Sequence, residues 1–360
     1  MHLKKLILKD FRNYTQASTE FCSATNSIWG SNAQGKTNLL EAVHFLTVGR
    51  SFRSNRTREV IREGAQHFYL EAHFMRDGTE QRLRIAGDGT TKKIIYNETV
   101  CPTAANLLGL LPSVLIEPDD ELIKGPPKAR RLFLDLLIAQ VDPLYVHYLA
   151  RFNRAMRQRN QLLRIQRTLG IESWEHEMGH AAGYVVAKRL ETIERILPHC
   201  QHMHEEISHE SAQLSIVYQS RIANLPREAD KIAALYSAAF ARRERDLQVG
   251  STQNGPHRDD LGIFLGTQDM RIFGSEGQKR TLVTVLRLAG WHLLNELIGD
   301  QPLMLIDDLG LSLDKKRRDK LIEYVGSLGQ SFITSTIRPE GISTPTHTLI
   351  EIVNGSAFTR

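Results

Sequence analysis

The chain has 360 residues, 41% hydrophobic and 24% charged, enough to bury a large core and to divide into two domains. Lysine and arginine number 46 against 41 acidic residues, a formal charge of +5 that suits a nucleic-acid partner without requiring one. Scattered Cys22, Cys101 and Cys200 exclude a disulfide framework, a zinc ribbon and a thioredoxin centre. The charge-broken start and the lack of a long apolar run exclude a signal peptide and a membrane span, so a cytoplasmic protein without a membrane partner is expected.

Gly30-Ser31-Asn32-Ala33-Gln34-Gly35-Lys36-Thr37 is a complete G-x-x-x-x-G-K-T phosphate loop. Its glycines permit positive φ and let successive backbone N–H groups form a nest for a β-phosphate. Lys36 sets a point charge on the β and γ oxygens, and the Thr37 hydroxyl suits Mg²⁺. The flanks fit: Ile28 and Trp29 end a strand, and Asn38–Leu46 continues as a helix whose N-terminal dipole faces the phosphates. All eight loop residues are candidate ATP contacts. Arg12, Arg50 and Arg53 lie near the loop in chain order and are open to phosphate contact, DNA contact or surface ion pairing.

Phe68–Phe74 and Gln81–Ile85 alternate like antiparallel strands, and Lys93–Glu98 reads as a strand and turn. After the breakers Gly125-Pro126-Pro127 the pattern is mostly helical from about residue 127 to 246, interrupted by a strand-like Leu214–Tyr218. The stretch Lys124–Thr168 holds ten basic residues against two acidic ones, Asp135 and Asp142. Within it Arg151, Arg154, Arg157, Arg164 and Arg167 fall close enough to helical period to line one face, with Arg151, Arg154 and Arg157 as the candidate DNA contacts; the face serves either as a DNA phosphate contact or as a plain solvated face. His199, Cys200, His202, His204 and His209 are metal-ligating types, but their polar surroundings suit an exposed helical segment better. β character returns at Leu261–Leu265, just after His257, Asp259 and Asp260, which are also metal-ligating types but follow a Gly255-Pro256 turn and are expected to brace the head.

Ser275-Glu276-Gly277-Gln278 precedes a helix over Thr281–Leu297. The segment is either a plain N-cap or, downstream of a phosphate loop, the S-x-G-Q signature with which ABC-type ATPases cap the γ-phosphate held by the opposite subunit. Ser275, Gly277 and Gln278 would then join the ATP site through a hydroxyl, backbone N–H groups and the helix dipole. Pro302–Ile306 is a buried strand that delivers Asp307 and Asp308 at its carboxyl end, where open α/β sheets assemble their sites. Asp307 suits Mg²⁺, directly or through water, and Asp308 suits a base that orients the attacking water, with Lys36 as its electrostatic counterpart.

Together these stretches resemble the RecF family of SMC/ABC-type ATPases along nearly the whole chain. The resemblance is carried by Phe11-Arg12-Asn13-Tyr14, by Gly30–Glu41 with Gly49–Arg53, by Pro118–Leu122 with Lys124–Asp135, and by Arg157–Leu163. It continues through Gly255–Leu261, Ser275 and Asp307-Asp308; the stretches Arg130–Asp135 and Gly255–Leu261 are its most specific parts. The resemblance implies ATP and Mg²⁺ as ligands and an ATP-dependent homodimer that binds single-stranded, duplex and gapped DNA. It also implies cooperation with RecR and RecO to help RecA replace single-strand-binding protein, and weak, DNA-stimulated hydrolysis acting as a clamp switch. Leu311-Ser312-Leu313-Asp314 departs from the family's usual Ser-Glu-Leu-Asp, which bears on cross-dimer contacts and hydrolysis rate. Where a transporter has its switch histidine, Phe332–Thr336 offers only hydroxyls, and Ile116–Asp120 holds no Q-loop glutamine.

The expected fold is α/β: an ABC/SMC-type P-loop ATPase head built from residues 1–124 and 247–360, with an inserted, mostly helical arm domain at 125–246. Two alternative functions are an ATP subunit of another ABC system, disfavoured by the long insert, and a DNA scaffold that binds ATP without hydrolysing it.

Overall fold

The computed structural model describes residues 1–208, 212–308, 315–339 and 347–359, the side chains of 315–320 excepted. The chain forms two compact units, Met1–Asp119 with Val283–Arg360, and Asp120–Leu282. The second unit is thus longer than the 125–246 expected for the arm from the Gly-Pro-Pro break and the helical pattern. The reason is pairing: β-structure at 260–265 hydrogen-bonds along its length to the strand at 214–219, which fastens the later segment to the helical one.

In the first unit, β1 (His2–Phe11) and β2 (Tyr14–Glu20) form a hairpin, followed by β3 (Thr25–Trp29) and helix α1 (Lys36–Val48). Next come β4 (Phe68–Arg76), β5 (Thr79–Gly87), β6 (Lys92–Tyr96), β7 (Thr99–Cys101) and β8 (Ser113–Ile116). Strands β2-β1-β4-β5-β6-β7 make one antiparallel sheet. Its strands alternate as a one-sided sheet should: β1 buries Leu6, Leu8 and Phe11 and leaves Lys9 exposed. Helix α1 is buried almost all round, from Leu39 to Thr47, and so lacks a polar stripe. Phe45 on this helix meets Phe11 and Phe68 edge-on, with centroids 6.1 and 5.4 Å away.

The second unit opens with α2 (Glu121–Lys124), α3 (Pro127–Ala139), α4 (Pro143–Arg164) and α5 (Ile171–Ser208). Then follow β9 (Leu214–Gln219), α6 (Ala229–Ala241), α7 (Glu244–Val249), β10 (Asp260–Leu265), β11 (Gln268–Asp269) and α8 (Met270–Phe273), and α9 (Glu276–Ile298) begins here. Asp142 caps α4, its carboxylate accepting from the Tyr145 N–H at 3.1 Å, with Pro143 pre-set in the first turn. The core joins Phe152 and Ala155 of α4, Met178, Ala182 and Val186 of α5, and Ile232, Tyr236 and Phe240 of α6. Gly179 and Gly183, one turn apart on α5, let α6 approach: a methyl at either would collide with Ser237 or Ala229.

The chain then returns to the first unit with β12 (Leu303–Ile306), α10 (Lys315–Gly326), β13 (Ser331–Ser335), β14 (His347–Val353) and β15 (Ser356–Thr359). These complete a second sheet, ordered β15-β14-β3-β13-β12-β8, parallel except for β15. Of its strands, β12 is a continuous apolar run and β8 nearly so, each buried at every position because both faces are covered. β3 and β12 point the same way with β13 between them. The phosphate loop after β3 and the acids after β12 thus emerge at one carboxyl edge, separated by the end of β13.

Candidate nucleotide-binding site

The phosphate loop is held open by its neighbours. Gly30, Ala33 and Gly35 take φ of 150°, 63° and 119°, the succession that turns backbone N–H groups inward. A side chain at Gly30 would strike the Ile352 carbonyl of β14, and one at Gly35 would strike Asn13. Asn13 donates its amide to the Gln34 carbonyl at 2.9 Å, and the Tyr14 hydroxyl donates to the Gly35 carbonyl at 2.9 Å. From the C-terminal hairpin, the Asn354 and Gly355 N–H groups donate to the Gln34 side chain and carbonyl. Gln34 is thus occupied in shaping the loop, whereas Ser31, Asn32 and Ala33 are exposed. Asn13 and Tyr14 were legible only as part of the family-like Phe11–Tyr14 stretch, and Asn354-Gly355 signals a hairpin turn without any local sign that it meets the phosphate loop.

Lys36 is 9% exposed and turns its ammonium back onto the loop, donating to the carbonyls of Gly30 at 2.8 Å and Ser31 at 2.9 Å. Burial holds its pKa below the ordinary lysine value, against the upward pull of Asp308 and Asp307. The Thr37 hydroxyl donates to Asp307 Oδ1 at 2.9 Å, which brings together two groups that lie far apart in the chain. Asp307 is buried, and desolvation raises its carboxyl pKa while hydrogen bonds from Thr334 and Thr37 pull it down. Asp308 sits at φ 48°, a left-handed conformation rare outside glycine, and its Oδ1 is buried without a partner among the described residues. A nest of N–H groups, a turned-in cation, a hydroxyl on a carboxylate and an orphaned carboxylate oxygen together fit a nucleotide with a divalent cation. Thr37 and Asp307 have the donor types for the metal, and the loop has those for phosphate.

Of the three loop-proximal arginines, Arg12 is bound bidentately to buried Glu41 of α1 at 2.6 and 2.9 Å. Arg53 donates to Asn38 at 2.8 Å, and Arg50, half-buried, lies in the field of Glu117. Leu311–Asp314 lies outside the described residues.

In the second unit, Ser275 and Gln278 form a reciprocal capping box at the start of α9. The Gln278 N–H donates to Ser275 Oγ at 3.2 Å and the Ser275 N–H to Gln278 Oε1 at 2.9 Å. The helix begins at Glu276, earlier than Thr281. Ser275 and Gly277 are exposed, and a methyl at Gly277 would meet nothing among the described residues. Lys124 reaches Glu276 at 2.5 Å and Asp120 at 2.7 Å, fixing the first turn.

The basic stretch divides by environment. Arg151 is bound bidentately to Glu177 and lies over the Tyr148 ring, so this guanidinium is already engaged. Arg154 and Arg157 are exposed. Arg159 is fully buried, held by Glu175, Asp246, Thr252 and the Phe240 carbonyl. The two stretches that carry the most specific resemblance meet each other. Arg130 clamps Asp260 at 2.7 and 2.9 Å, and Arg131 donates to the Asp259 carbonyl. Arg189 joins Asp135 to the Pro256 carbonyl. His257, Asp259 and Asp260 therefore brace the inserted unit and not the head: Asp259 accepts from Tyr218 and Tyr236 at 2.8 and 2.6 Å. Among the described residues no group of three metal-ligating side chains converges, at His199–His204 or elsewhere; His209 is outside them.

The family model for the RecF/RecN/SMC N-terminal domain matches residues 2–356. The chain belongs to the RecF family. A RecF relative from Protochlamydia amoebophila, named DNA replication and repair protein RecF, is 46% identical over 93% of this chain and 94% of its own. The RecF of Symbiobacterium thermophilum is 38% identical over 93% and 92%. Among solved structures, the recombination mediator RecF with ATP, described as part of the RecFOR pathway, superposes with a TM-score of 0.92 at 29% identity over 100% of this chain and 97% of that one. An Smc head bound to the C-winged helix domain of ScpA shares the fold, with a TM-score of 0.57 at 18% identity. The α/β SMC/ABC-type head expected from the sequence is the fold of this RecF chain. Among the described residues no helix is long and apolar enough to cross a membrane.

Proposed function

We propose that this RecF-family protein is an ATP-dependent DNA-binding protein of replication and recombinational repair, whose ATP-joined dimer closes on DNA. The carrying observation is the Thr37–Asp307 hydrogen bond at 2.9 Å, which couples a phosphate loop to an acidic strand end at one sheet edge. Lys36 takes the β/γ oxygens, the loop N–H groups take the β-phosphate, and Thr37 with Asp307 holds Mg²⁺, which supplies charge neutralisation at the phosphates. Asp308 orients the water. In the dimer, Ser275, Gly277 and Gln278 of one copy cap the nucleotide held by the other. The glycine at 277 supports this, because the described residues of its own chain leave the space beside it empty, where a neighbour's phosphate would fit. Exposed Arg154 and Arg157 contact DNA phosphates; Arg151 stays with Glu177. The first unit acts as the ATPase head, and the second supplies arm and signature. The solved relative's assignment to the RecFOR pathway supports RecR and RecO as partners and RecA loading as the outcome.

Equilibrium titration with a fluorescent ATP analogue, paired with light scattering, tests this. Lys36→Ala should weaken binding by about 1.5–3 kcal/mol, the size of a charge-assisted contact. Wild-type protein should become dimeric when ATP is added. Unchanged affinity in the variant would remove Lys36 from the site, and an ATP-indifferent mass would end the dimer proposal.

A further inference from the structure

We infer that Thr334, on β13, is a positioning residue for the metal end of the site, one buried hydroxyl that sets both acids of the neighbouring strand. The inference rests on the ATP–Mg²⁺ site proposed above. β13 pairs with β12 in parallel as far as Ile306↔Ile333, so the residues just beyond, Asp307 and Thr334, stand opposite each other. Thr334 is 1% exposed. Its hydroxyl donates to Asp307 Oδ1 at 2.8 Å and accepts the Asp308 backbone N–H at 2.7 Å.

A hydroxyl has one proton and two lone pairs, so this division of labour is fully specified. The proton goes to the Asp307 carboxylate, to the same oxygen that Thr37 addresses from the phosphate loop at 2.9 Å. A lone pair holds the amide of Asp308, whose φ of 48° needs support from its surroundings. Thr334 also sits on the strand between the two that matter, paired to β12 on one side and to β3, at Ile28, on the other. It thereby fixes the carboxylate that faces Thr37 and the backbone turn that aims Asp308, without itself reaching substrate.

Thr334→Val keeps the shape and deletes the hydroxyl; Thr334→Ser keeps the hydroxyl and deletes a methyl. Affinity for a fluorescent ATP analogue is measured for each protein with Mg²⁺ and with EDTA, and the ratio of the two is compared. In the valine protein the Mg²⁺-dependent gain should fall by about tenfold or more, as when a group orienting a metal ligand is lost, with the EDTA affinity within about threefold of wild type. The serine protein should keep the wild-type ratio. An unchanged ratio in the valine protein overturns the inference, as does a parallel loss in Mg²⁺ and EDTA, which would mark a merely structural residue. If the valine protein fails to give a folded circular-dichroism spectrum, Thr334→Ala takes its place under the same criteria. A wild-type protein that binds the analogue in neither condition would overturn the nucleotide site itself, and this inference with it.

Discussion

At the residue scale the site divides into groups that short-range pattern reveals and groups that only the fold brings in. Gly30, Lys36 and Thr37 are legible because the phosphate loop is one continuous segment whose spacing states its chemistry. Asp307 and Asp308 are legible because an apolar strand ends in them. Thr334 was only one hydroxyl in a strand that holds three, and nothing local marks it; its role depends on the register of two strands joined across the sheet. Asn13 is similar, since its value lies in reaching the Gln34 carbonyl. Asp308 itself gives a direct expectation. Asp308→Asn keeps shape and removes charge, so ATP binding should survive while phosphate release slows by roughly 10²-fold or more. The ATP-bound dimer should then persist in light scattering, and wild-type turnover in this variant would exclude Asp308 as the water-orienting group.

At the element scale the start of α9 carries most weight. Its capping box satisfies orphan N–H groups within the chain, so Ser275 is an N-cap. That does not compete with a role toward phosphate, because a capped helix start still presents its dipole and remaining N–H groups. Gly277 separates the two roles. Gly277→Ala should leave the protein as stable as before or stabilise it by up to about 1 kcal/mol, since alanine favours helix and meets no neighbour. The same change should weaken ATP-dependent dimerisation. Thermal unfolding and sedimentation at graded concentration measure both, and an undiminished dimer would leave the glycine without a purpose. The start of α9 at Glu276 agrees with the N-cap reading of Ser275, and the reciprocal bonds with Gln278 show why the helix begins before Thr281 despite the glycine in its first turn. The tight α5–α6 approach at Gly179 and Gly183 was hidden: a glycine in a helix gains meaning only from its neighbour.

At the scale of the whole molecule, chain breakers and helical patterning located an insert but not its limits. Helical periodicity ends near residue 246, yet the insert continues to Leu282, because its closure depends on Arg130–Asp260 and on β9–β10 pairing, both long-range. The basic stretch likewise looked like one surface, whereas burial assigns Arg159 to the core and a bidentate ion pair engages Arg151 with Glu177. DNA binding is therefore expected to run through Arg154 and Arg157. If ATP joins two copies on one duplex, it should raise DNA affinity and steepen its salt dependence, since log K falls by about 0.9 per neutralised phosphate per log unit of salt. Arg154→Glu with Arg157→Glu should flatten that slope without changing ATP affinity. Fluorescence anisotropy across a salt series reads both, and a wild-type slope indifferent to ATP would argue against the clamp.

The placement of β3 bears on how the molecule is made. The strand that launches the phosphate loop lies between β13 and β14, and β8 reaches the same sheet only through β12. A chain leaving the ribosome presents β3 early, but both of its hydrogen-bonding neighbours, Ser331–Ser335 and His347–Val353, are made much later, after the whole inserted unit. Meanwhile residues 120–282 already contain both halves of their own clasp, so the insert can close while the nucleotide sheet still lacks its middle. A nascent chain would thus carry a complete phosphate-loop sequence with no platform beneath it, its N-terminal β3 left as an open edge. Competence to bind nucleotide would come only after these later strands slot in on either side of β3.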